Sequence, residues 1–124
     1  MDLEKIFKQL ILLDLALFVL VFLSVFFEPE EVTINILVPM QDTPLELQTP
    51  LDIIEILRVF CVLRFLLPKS IIKISGGREV NLKDDGQKLL LSGANGIISA
   101  GYLTMNGNTV KKDIEMIKEI NLDA

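Results

Sequence analysis

Ser70-Ile71-Ile72-Lys73-Ile74-Ser75-Gly76-Gly77 is the stretch on which the reading of the fold turns. Its β-branched residues mark a strand, and the two glycines end it. On its N-terminal side, Thr49-Pro50-Leu51-Asp52 marks a helix start. Thr49 can cap, Pro50 suits the first turn, and Asp52 favours the positive dipole end. That helix is expected to run to about Leu67, because Pro68 disfavours helical geometry just before it. Further back, Val32-Thr33-Ile34-Asn35-Ile36-Leu37-Val38, closed by Pro39, reads as another buried strand. On the C-terminal side, Asn81 can cap a helix over Leu82–Ser92, with Asp84 and Asp85 in its first turn and Gly93 as its stop. Gly96–Ala100 forms a third strand. A last helix runs from about Thr109 to Asn121, with Val110, Ile114 and Ile117 on one face.

Helices therefore alternate with three mostly apolar strands, which argues for parallel βαβ units. Three strands are few for a free-standing parallel sheet covered on both faces. The expectation is an α/β fold: a partial (β/α)8 TIM barrel made of C-terminal βα units, preceded by a very apolar N-terminal helix. In such barrels chemistry sits at the C-terminal ends of the strands. Here those ends are Leu37–Met40, Ile74–Gly77 and Ser99–Gly101. An incomplete barrel is also expected to expose strand edges and an apolar inner face, favouring self-association.

Composition narrows the chemistry. The chain has 124 residues, enough for one domain with a core, and 51% of them are hydrophobic, which excludes disorder over most of its length. It has no histidine and one cysteine, Cys61. Imidazole acid/base catalysis, a disulfide framework and a cluster held by several of its own thiolates are excluded. Cys61 reads as an inert core thiol. Seventeen acids against twelve bases, a net charge of −5, argue against nucleic-acid binding.

Residues 1–29 stand apart. Between Leu10 and Phe27 only Asp14 is charged and only Ser24 is otherwise polar. Such a run is either a helix buried in protein or a membrane span or surface anchor, since about 18 apolar residues suffice to cross. It has no small-residue cleavage site of a signal peptide. The lone thiol suits a cytoplasmic setting, with membrane association through residues 10–27 as the alternative.

Other clusters have structural readings. Ser75-Gly76-Gly77 is a tight turn or a phosphate cradle. Arg78 and Glu79 form an ion-pair network at the rim. Asp84 and Asp85 serve the helix dipole rather than a metal, because adjacent carboxylates diverge on a helix.

The strand ends resemble a known family. Thr33-Ile34-Asn35-Ile36-Leu37-Val38-Pro39 with Asp42-Thr43-Pro44-Leu45 resembles the sixth barrel strand of biotin synthases and the loop behind it. Arg64–Pro68 followed by Ile72-Lys73-Ile74-Ser75-Gly76-Gly77-Arg78-Glu79 resembles the seventh strand and its S-[AG]-G-R-E signature. Ser92-Gly93-Ala94-Asn95-Gly96-Ile97, Leu103-Thr104 and the closing helix continue the likeness. Residues 30–124 thus resemble the biotin and thiamin synthesis-associated domain, a C-terminal half-barrel found in radical SAM enzymes.

The resemblance implies sulfur insertion into dethiobiotin, with S-adenosylmethionine and a [4Fe-4S] cluster as radical source and a [2Fe-2S] cluster as sulfur donor. It places Asn35 where the family has an asparagine contacting substrate and cofactor, and Lys73 where the family has a cluster-ligand arginine. Lysine lacks the planar guanidinium fork, so ligation by Lys73 is not expected. The CxxxCxxC motif is absent. The expectation is a chain inactive alone and binding no cofactor by itself, the back half of a longer enzyme from a truncated or split gene. Its expected partner is an N-terminal half-barrel chain carrying CxxxCxxC, or another copy of itself. The alternative is a non-catalytic remnant or binding module, tethered to a membrane through residues 10–27.

Overall fold

Strand β1 (Glu31–Ile34) pairs in parallel with β2 (Ile71–Ile74), and β2 pairs in parallel with β3 (Gly96–Ile97), giving the sheet order β1-β2-β3. Thr33, Lys73 and Gly96 share one rung; Ile34, Ile74 and Ile97 share the next. The computed structural model describes residue 22, residues 26–102 and residues 106–121. The expected apolar N-terminal helix lies almost entirely outside the described residues. Among the described residues, no helix is long and apolar enough to cross a membrane.

Among the described residues, three helices lie between the strands, α1 (Ile53–Leu66), α2 (Arg78–Asn81) and α3 (Gln87–Leu91), and α4 (Val110–Glu119) follows β3. The alternation of strand side chains sets the layers. Val32, Ile34, Ile72 and Ile74 point to one face, and the last three of these pack with Ile56 and Phe60 of α1 and Leu89 of α3. Phe60, Ile72, Ile74 and Leu89 are fully buried. Each contributes about 1.5–3 kcal/mol by leaving water. The other face carries Glu31, Thr33 and Lys73 with half-exposed Ile71. Where an apolar face was expected, polar residues thus stand, and Lys73 Nζ binds Glu31 Oε2 at 2.7 Å.

Helix α1 starts at Asp52, whose Oδ1 accepts the Ile54 N–H at 2.8 Å, so the cap is Asp52 rather than Thr49. It ends where Arg64 folds back, Nη1 donating to the carbonyls of Leu67, Pro68 and Ser70 and Nε to that of Gly93. Of the helix expected over Leu82–Ser92 only α3 forms, since α2 ends at Asn81, before that range begins. Asp85 and Gly86 both adopt left-handed backbone, with φ of 53° and 104°, and this breaks the run. Asn81 ends α2 instead of capping a helix, and its amide donates to the Gly77 and Leu37 carbonyls. Asp84 braces the turn before α3, accepting from the Gly86 and Lys88 N–H groups.

Two expectations of burial are overturned. Cys61 is exposed on α1, because the buried stripe of that helix runs through Ile56 and Phe60. In α4 the buried residues are Asp113 and Met116, while Val110 and Ile114 are exposed. Asp113 turns inward because a buried arginine awaits it.

Candidate functional site

The C-terminal ends of the three strands open into a cavity of about 860 Å³. Asn35 and Leu37 follow β1, Ser75–Gly77 follow β2, and Ile98 and Tyr102 follow β3 on its walls. Continued ladder bonds hold the walls together: Ser75 N donates to Ile34 O at 2.9 Å, Ile36 N to Gly76 O at 2.8 Å, and Ile98 N to Ile74 O at 2.9 Å. Glycine is required at Gly77. Its φ is 90°, and a Cβ there would lie 2.0 Å from the Ile36 carbonyl oxygen.

Asn35 is fixed from one side. Its Oδ1 accepts the Gly76 N–H at 3.0 Å. No hydrogen bond of its Nδ2 is found among the described residues, so the amide has donors to offer a ligand's oxygen. Lys73 lies on the same sheet face two rungs nearer the strand starts but does not line the cavity. Its ammonium reaches back to Glu31. That hydrogen bond, with a second from Thr33, holds the Glu31 carboxyl below its ordinary value.

Below the cavity floor sits Arg78, fully buried. Its Nη2 binds Asp113 Oδ2 at 2.7 Å and lies 3.3 Å from Glu79 Oε1, and its Nη1 donates to the Asp85 carbonyl at 2.8 Å. Burial opposes the guanidinium charge, and the Asp113 hydrogen bond and charge outweigh it, so the Arg78 pKa is raised. Ser99 Oγ also donates to Asp113, tying the end of β3 to α4. The expected Arg78–Glu79 rim network is therefore present, with Asp113 as its nearest acid. Sequence reasoning did not single out Asp113 or Tyr102. Asp113 looked like an ordinary first-turn acid. Tyr102 carried one signal, as the chain's single tyrosine placed just after a strand end.

The chain's own side chains do not fit an iron–sulfur cluster. It has one cysteine, on α1, and no histidine. Among the described residues no group of three or more His, Cys, Asp or Glu could hold a metal ion. Lys73 offers an ammonium already paired with a carboxylate, a poor ligand. The cavity, with its apolar walls and amide donor, fits a small organic molecule better.

The Biotin and Thiamin Synthesis associated domain model matches residues 33–123. The chain is 68% identical over 96 residues to a biotin synthase of Nitrosopumilus maritimus (strain SCM1), covering 77% of this chain and 29% of that one. It is 60% identical over 96 residues to a biotin synthase of Cenarchaeum symbiosum (strain A), covering 77% and 30%. It is 43% identical over 94 residues to one of Clostridium acetobutylicum, covering 76% and 29%. The chain thus spans under a third of the length of these curated relatives.

Proposed function

The chain belongs to the Biotin and Thiamin Synthesis associated domain family, as a C-terminal biotin synthase fragment, and from this we propose that it supplies the last three βα staves of a biotin-synthase-like TIM barrel. One observation carries the reading. Three parallel strands bury one face against helices, turn polar groups to the other, and open at their C-terminal ends into a cavity. That layout supports a barrel sector, in which the inner face would meet the other staves and the strand ends would carry the site.

In this reading the chain's share of the work is binding, not cluster chemistry. Asn35, locked by Gly76, presents its amide donors to an acceptor oxygen of dethiobiotin or S-adenosylmethionine. The apolar walls exclude water from the reacting centre. S-adenosylmethionine, when bound, supplies the radical chemistry that removes hydrogen from the substrate. The ligands of the clusters must come from the front half of the barrel. The chain alone is then inactive.

The test is reconstitution. The chain is mixed anaerobically with a front-half chain carrying CxxxCxxC, iron, sulfide, a reductant, dethiobiotin and S-adenosylmethionine. Formation of 5′-deoxyadenosine by the mixture, and by neither chain alone, is expected. A mixture as inert as its parts overturns the reading.

A further inference from the structure

After β3 the backbone takes two left-handed residues in succession, Ala100 (φ 71°) and Gly101 (φ 97°). This reversal brings Tyr102 back over the end of β2. A Cβ built on Gly76 would lie 3.8 Å from Tyr102 Cδ1, so the ring packs over that glycine beside Asn35. The phenol lies within hydrogen-bond distance of Glu79 Oε1 and Oε2, at 3.1 and 3.2 Å, and of the Ser75 carbonyl at 3.2 Å. It has one proton to donate.

Glu79 is placed to decide where that proton goes. Its Oε1 also accepts the Asn108 N–H at 3.2 Å and pairs with Arg78. A Cβ on Gly107 would meet the same oxygen at 3.1 Å, so the returning chain closes tightly on the carboxylate. One side chain of α2 thereby fastens both ends of the loop that follows β3, and Arg78 anchors it from below. We infer that Glu79 is a positioning residue that holds the Tyr102 ring as a wall of the strand-end cavity, and that the ligand taken up there packs against this ring. The inference rests on the proposed reading of the cavity as a ligand mouth. It adds a tyrosine wall and a carboxylate that sets it.

The chain has one tyrosine and no tryptophan, so its tyrosine emission reports Tyr102 alone. In the full chain, Glu79→Ala is expected to raise acrylamide quenching of that emission about fivefold, the population change of one lost hydrogen bond. Glu79→Gln, whose amide oxygen still accepts, should fall between. Both variants should lower the midpoint of phenol ionisation read by absorbance. Quenching and midpoint unmoved in both, with unchanged circular dichroism, overturn the tether. Should Glu79→Ala fail to fold, an unmoved midpoint in Glu79→Gln alone overturns it. In the complex with the front half, Tyr102→Ala should weaken dethiobiotin or S-adenosylmethionine binding in equilibrium dialysis about tenfold, the loss of an aromatic contact. Binding unchanged by Tyr102→Ala overturns the wall. No binding by the wild-type complex overturns the reading of the cavity itself, and the packing of ligand on the ring with it.

Discussion

Arg78 is the residue whose environment is hardest to replace. Asp113 is 2% exposed and Arg78 fully buried, so deleting the acid leaves a cation without its nearest counter-charge. Asp113→Ala is expected to destabilise the chain by about 3–5 kcal/mol in urea unfolding. A loss under about 1 kcal/mol, the range of exposed pairs, would show that the pair is hydrated in solution. The exposed and half-exposed carboxylates act with opposite visibility. Glu31 is lowered by its Lys73 and Thr33 hydrogen bonds. At Asp85 burial works upward, but Lys112, 2.6 Å away, and Asn108 win and lower it. A depressed folded-state value means stability that is present above the ordinary carboxylate range and lost as pH falls through the lowered value. Tyr102 has the reverse sign: burial raises it, so its contribution is intact below about pH 10 and lost above. The urea midpoint should therefore fall on acidification below about pH 4. Lys112→Met should shrink that fall; an acid limb identical to wild type would contradict the assignment. The Ser75-Gly76-Gly77 turn was legible because strand ends can be read from β-branched runs and glycines, whereas Asn35 was singled out only by the family resemblance. Asp113 was not, since its partner lies 35 residues away and an acid in a first helical turn already has a local explanation.

At the scale of elements, the order of strands and helices was legible and some boundaries were not. Helix α1 was announced by Asp52 before it and Pro68 after it. Asp52→Ala should cost about 1 kcal/mol through the lost cap to Ile54, measured by thermal or urea unfolding. No change would point to Thr49 as the working cap. The helix expected from Leu82 starts only at Gln87, and Gly86 is the reason. In the fold it takes a left-handed conformation, and Asp84 holds the turn before α3 by accepting from the Gly86 and Lys88 N–H groups. Helix α4 kept its place, with Thr109 capping it through the Lys112 N–H, but turned a different face inward. Its hydrophobic pattern was outweighed by one charge, because burying Asp113 against Arg78 satisfies a guanidinium that β3 and α2 already enclose.

At the scale of the whole molecule, the uncovered surfaces matter most. Leu47 and Phe65 are 92% and 86% exposed, and Ile54 and Val62 of α1 are also exposed. Exposed apolar side chains of this size favour association or aggregation. The chain expressed alone is expected to sediment as oligomers; a single monomeric species across concentration would contradict this. The parallel α/β layout followed from local sequence, since each βα unit is local. The polar inner face did not, because Glu31 and Lys73 are neighbours only after β1 and β2 pair. In a barrel sector the sheet's two outer edges pair with strands of the front half. Hydrogen–deuterium exchange of the chain, with and without a front-half partner, reads those edges directly. The account predicts new protection at the amides of Glu31–Ile34 and Gly96–Ile97 on mixing, with those of Ile71–Ile74 unchanged. Protection confined to the outer face of α1, or no change at either edge, would contradict it.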